Sequence, residues 1–153
     1  MAILFSFLIG FFTGLRSLTP AAVTAWAVHF GLLKPEHPFS WIGSWPSVII
    51  FTVLALGELV ADKLARTPPR TSPPGLIARI VMGALTGACI AASTSNAILL
   101  GAVLGIAGAV AGTFLGFKAR TGIVKALQIP DLPVALMEDL IAIGGSLLIV
   151  SPF

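Results

Sequence analysis

The chain reads as all-α: a polytopic membrane helix bundle of about five transmembrane helices plus a short re-entrant or interfacial helix. Three observations predict this. Mean hydropathy is +1.04. Of 153 residues, 57% are hydrophobic and only 10% charged, where soluble domains carry about 25% charged residues. The apolar residues also fall into runs separated by short polar turns. So few charges cannot cover a water-facing surface of this size, so lipid takes the place of solvent. Residues 1–153 are expected to form a single integral-membrane domain.

The first segment, Ala2 to Leu15, is apolar but has no basic region before it and no A-x-A cleavage site, so it reads as a retained span and not a signal peptide. It ends at Gly14-Leu15-Arg16-Ser17-Leu18-Thr19-Pro20. The apolar run from Ala21 to Leu33 makes a helix of about 20 Å, too short for a hydrocarbon core of about 30 Å. It is predicted to be the re-entrant or interfacial element. Lys34-Pro35-Glu36-His37-Pro38 then forms a polar turn, and Trp41 and Trp45 are suited to the membrane interface.

The second span is expected over Val48–Ala61, followed by a stiff basic loop from Asp62 to Gly75 that contains four prolines. The third covers Leu76–Ala92, and Ser93–Asn96 makes a turn. The fourth runs from Ala97 to Phe117, followed by Lys118-Ala119-Arg120-Thr121-Gly122 and a short helix to Gln128. The fifth follows Asp131-Leu132-Pro133 and reaches Val150.

Positive charge sets the expected orientation. Lys63, Arg66, Arg70 and Arg79 flank one loop, and Lys118, Arg120 and Lys125 lie in another. Five crossings put both loops on one side and leave Arg16 and Lys34 on the other. The positive-inside rule then makes the N-terminus cytoplasmic, in a bacterial inner membrane.

Displacing the chain by 102 positions aligns Gly10, Phe12, Gly14, Arg16 and Thr19 with Gly112, Phe114, Gly116, Lys118 and Thr121. A looser match sets Ala55-Leu56-Gly57-Glu58 beside Ala135-Leu136-Met137-Glu138. Both are compatible with an inverted repeat, as in secondary transporters, and equally with chance similarity between Gly- and Ala-rich helices. The glycines of the first, third and fourth spans form small-xxx-small faces, read as packing surfaces.

Polar chemistry has few places to occur. Ser17 or Thr19 can cap a helix whose first turn holds Pro20. Its free N–H groups, its dipole and Arg16 would together favour an anionic group. Arg16 can instead snorkel to lipid phosphates or pair with an acid. Glu58 and Asp62 lie one helical turn apart. Glu138, Asp139 and Arg79 are expected near them, with Lys118 a further candidate for the ion site. Acids inside a membrane are costly unless paired and are candidate functional groups; a static carboxylate–arginine clamp is the competing reading. Arg66 and Arg70 are candidates for a lipid headgroup phosphate.

Other classes are disfavoured. The pI near 9.6 does not indicate nucleic acid, because the basic residues occupy short loops instead of one exposed face. His29, His37 and the lone Cys89 lack metal-ligand spacing, so no metal or cofactor is expected. No G-x-S-x-G, Walker or H-E-x-x-H pattern occurs, which argues against an enzyme.

Gly14-Leu15-Arg16-Ser17-Leu18-Thr19-Pro20, Gly57-Glu58-Leu59-Val60-Ala61-Asp62-Lys63-Leu64 with Thr67-Pro68-Pro69-Arg70-Thr71, and Asp131-Leu132-Pro133-Val134-Ala135-Leu136-Met137-Glu138-Asp139 together resemble a family of small bacterial membrane proteins. That family carries only a domain-of-unknown-function label. The resemblance spans nearly the whole chain and implies one compact membrane domain, but no activity.

Two functional classes lead, ahead of a membrane-embedded enzyme acting on lipid phosphates, for which the chain has the basic residues but no convincing nucleophile. The first is a small transporter or channel for an ion or anionic solute, proton-coupled through Glu58 or Glu138. The second is a non-transporting scaffold or lipid-binding module. In either case the partners are the lipid bilayer and further copies of the chain in a homo-oligomer.

Overall fold

The computed structural model describes residues 2–63, 71–94 and 97–153. Among these there are six α-helices and no strand: α1 (Ala2–Leu15), α2 (Thr19–His29), α3 (Trp45–Ala61), α4 (Pro73–Ala92), α5 (Ile98–Leu127) and α6 (Asp131–Val150), with a 3₁₀ turn at Phe39–Gly43 before α3. Three of them, α4, α5 and α6, are long and apolar enough to cross a membrane. The apolar helices α1 and α3 are shorter, at 14 and 17 residues.

Prolines mark the helix starts. Pro20, Pro46 and Pro73 each sit in a first turn, where the missing N–H costs nothing and the fixed φ fits the helix. Pro133 is likewise inside the first turn of α6, so that helix begins at Asp131 and not beyond the proline. The break expected at Lys118–Gly122 is absent, and α5 runs on for 30 residues, about 45 Å. One glycine costs a helix only about 1 kcal/mol, too little to stop it.

At the centre are α1, α4 and α5. A Cβ on Gly105 would collide with the carbonyl of Gly83 in α4, and one on Gly10 would collide with the backbone of Gly105. Only hydrogen side chains allow α5 to touch both neighbours along their backbones. Gly10 faces Gly105 while Gly14 faces Ala109 and Thr113, so α1 and α5 run parallel. Gly83 faces Ala109 and Gly87 faces Gly101, so α4 runs antiparallel to them. Thr13 and Thr86 join the α1–α4 seam at 3.4 Å.

Outside this core α2 turns back from the end of α1 and packs on α3, α4 and α6. Trp26 Nε1 donates to Thr52 Oγ1 at 3.0 Å, and Ala21, Ala22 and Ala25 pack with Phe51, Ala55 and Cys89. The far end of the bundle gathers Leu33, Ile90, Ile149 and Val150. There the Phe5 and Phe153 rings meet edge-on, 5.7 Å apart.

These directions revise two expectations. Counting five crossings separated Arg16 from the basic loops; instead the chain doubles back through α2, and Arg16 lies at the same end as Lys63, Arg79 and Arg120. Among the described basic residues Lys34 lies at the other end. The 102-residue displacement pairs α1 with α5, which are parallel neighbours, so these two helices are not an inverted pair. Their shared Gly-xxx-Gly pattern reflects two faces that pack on each other.

Candidate functional site

The ion network starts from the sharp turn between α1 and α2. Three residues, Arg16 to Leu18, separate two helix ends, leaving C-terminal carbonyls and N-terminal N–H groups without helical partners. Charged side chains from other helices meet both sets. Glu58 of α3 takes the N-terminal side: its Oε1 accepts the Ser17 N–H at 2.8 Å and the Ser17 hydroxyl at 2.6 Å, and its Oε2 accepts the Leu18 N–H at 2.8 Å. Arg79 of α4 takes the C-terminal side, donating from Nε to the Gly14 carbonyl at 3.1 Å and from Nη1 to Gly75 at 3.0 Å. Thr113 Oγ1 donates to the same Gly14 carbonyl at 3.3 Å. Each charge has the sign that its helix end attracts.

The helix start that the sequence offers to an anionic group is occupied by the protein's own Glu58 carboxylate. Neither Ser17 nor Thr19 caps α2. Ser17 donates to Glu58, and the buried Thr19 hydroxyl has no partner among the described residues.

Arg16 is fully buried. Its Nη1 pairs with Asp62 Oδ2 at the end of α3, and its Nη2 lies 2.5 Å from Asp139 Oδ1 of α6. Asp139 Oδ2 in turn accepts from Lys63 Nζ at 2.7 Å, and Lys63 also donates to Leu59 O at 2.7 Å. Two cations and two carboxylates thus alternate across three chain segments. Asp139 is eight residues past the start of α6, about 12 Å into the helix. Among the described residues, Arg16 Nε and Nη2 and Asp139 Oδ1 find no hydrogen bond of good geometry, so there the quartet is charge-balanced without being fully bonded.

A second ion cluster lies nearby. Arg120 grips Asp131 through Nε (2.7 Å) and Nη2, and Nη1 reaches Glu138 Oε2 at 3.5 Å. Glu138 and Asp139 are adjacent in sequence yet serve different cations.

Of the residues singled out from sequence, Arg16, Ser17, Glu58, Asp62, Arg79, Glu138 and Asp139 come together at one end of the bundle. Lys118 does not join them: it is exposed on α5. Arg66 and Arg70 lie outside the described residues. Two cations that bond the acids, Lys63 and Arg120, figure in the sequence reading only as orientation charges. Their signal was present in the adjacency of Lys63 to Asp62, and in Arg120 lying about two helical turns before the end of α5, which leads into Asp131. Among the described residues no group of His, Cys, Asp and Glu has the arrangement of a metal site.

A family model described as Domain of unknown function (DUF4126) matches residues 3–152. The chain belongs to the DUF4126 family. No curated protein and no solved structure matches it.

Proposed function

We propose that this DUF4126 protein is a small ion transporter or channel in which the Arg16–Asp62–Asp139–Lys63 quartet is the coupling or gating site. The observation that carries the reading is the fully buried Arg16 shared between carboxylates of α3 and α6, with atoms on both sides short of good hydrogen bonds. Buried ion pairs add little net stability, because desolvation offsets their attraction. Ionisable groups inside a membrane are candidate functional residues for that reason. Protonation of Asp139, or arrival of a competing ion, would release Arg16 and Lys63 and loosen α3 and α6 from the α1 turn. Glu58, committed to the start of α2, is then a structural cap, and Arg120 holds Glu138 in the same way.

A chain this small encloses little interior, so a homo-oligomer would supply the remaining walls of the path. With most basic residues at the quartet end, the positive-inside rule places that end in the cytoplasm. Phe5 and Phe153 would then lie on the outer side of a bacterial inner membrane, which reverses the cytoplasmic N-terminus expected from counting five crossings.

One observation favours a second reading, the non-transporting scaffold. Every described carboxylate at this end already has a cationic or N–H partner. Flux assays in proteoliposomes across a panel of monovalent cations, protons and small anions separate the two readings. Selective flux supports transport; impermeability to the whole panel supports the scaffold.

A further inference from the structure

The last third of α5 has a different character from the rest. Up to Gly116 the helix is packed into the glycine core. Beyond it, most residues from Phe117 to Gln128 are exposed. This segment contains Lys118, Arg120 and Lys125 and no acid. At 100° per residue, Lys118, Thr121, Lys125 and Gln128 fall on one face and Ala119, Ile123 and Leu127 on the opposite one.

The apolar face looks into a groove of about 500 Å³ between α5, α6 and the end of α1. Val134 and Met137 of α6 and Leu15 of α1 complete its walls. That volume lies within the roughly 300–1,000 Å³ of ordinary ligand sites. The polar residues on the wall, Arg120 and Glu138, are engaged with each other at 3.5 Å. On the outer face, by contrast, Lys118 and Lys125 form no ion pair among the described residues.

We propose that α5 beyond Gly116 is an interfacial arm that binds an anionic phospholipid. The acyl chain enters the groove under the arm, and the headgroup phosphate lies beside Lys118 and Lys125. α5 continues unbroken through this segment, so the arm carries the helix past the packed core, and the long lysine stems can reach around it to a headgroup while an acyl chain occupies the groove on its apolar side. Charge selects the lipid class: two unpaired lysines on an arm without acids attract an anionic headgroup and give no advantage to a zwitterionic one. All this requires only that the chain resides in a membrane, so it stands or falls separately from transport.

The test is native mass spectrometry of the protein released from nanodiscs of equimolar phosphatidylglycerol and phosphatidylcholine. Wild type is expected to retain phosphatidylglycerol preferentially. Lys118→Gln/Lys125→Gln reduces that preference by up to about thirtyfold, roughly fivefold per lysine near the surface. Ala119→Trp fills the groove and removes adducts of both lipids, while the melting temperature in pure phosphatidylcholine is unchanged for both variants. Equal retention of the two lipids by wild type, or an unaltered preference in the double variant, overturns the proposal. So does an Ala119→Trp protein that keeps its lipid but changes oligomeric state, because the groove would then be a seam between copies.

Discussion

The Glu58 carboxylate accepts the backbone N–H and the hydroxyl of Ser17 at 2.8 and 2.6 Å, so the end of α3 fixes the start of α2. Hydrogen bonds to a charged group contribute about 1.5–3 kcal/mol each. Glu58→Gln keeps an acceptor oxygen but loses the charge and one of the two oxygens, and is expected to cost about 2 kcal/mol. Equilibrium unfolding in mixed micelles would measure the loss, and Glu58→Ala should cost more.

Arg16 and Asp139 should be energetically coupled. Removing one partner of a buried pair leaves an uncompensated charge and costs about 3–5 kcal/mol. Arg16→Met and Asp139→Asn are each expected to destabilise by an amount in this range. The double variant should lose clearly less than the sum, with a coupling above about 1 kcal/mol in a double-mutant cycle. Additive losses would show that the two side chains do not depend on each other.

Two glycine substitutions should have opposite effects. Gly105→Ala places a methyl group against the Gly83 carbonyl and is expected to cost at least about 1–3 kcal/mol through overpacking. Gly57 has open space where a Cβ would go, so Gly57→Ala should stabilise α3 by about 0.5–1 kcal/mol, through helix propensity alone. Melting temperatures of the two variants, measured in the same detergent, check both signs.

The path of the chain through α2 sets which residues share a side of the membrane. With Lys34 and Lys125 at opposite ends, Lys34→Cys and Lys125→Cys should react with a membrane-impermeant thiol reagent from opposite sides of sealed vesicles. The native Cys89 is buried and should stay unlabelled, giving a clean background. Labelling of both positions from one side would contradict this fold.

Much of the bundle was legible in the sequence because hydropathy and proline positions act locally. The apolar runs became helices, and Pro20 and Pro46 sit where a first turn accepts them. The glycine faces were recognised as packing surfaces, which is what Gly83, Gly105 and Gly10 are. What sequence alone could not supply was pairing between helices. Nothing local to Glu58 says that it reaches back to Ser17, and nothing local to Arg16 says that Asp62 and Asp139 lie around it. The same gap put Arg16 at the wrong end of the bundle: a helix of 11 residues looks too short to reverse the chain, yet the α1–α2 turn does so because Glu58 and Arg79 satisfy its exposed backbone groups.

If the Arg16–Asp139 pair belongs to an ion path, flux through Asp139→Asn proteoliposomes will reveal it. Glu58→Gln serves as a control for destabilisation elsewhere in the network. Selective flux is expected in wild type, with its loss in Asp139→Asn protein that keeps its oligomeric state and measurable flux in Glu58→Gln. Undiminished flux in Asp139→Asn, or none from wild type for any ion in the panel, would contradict it.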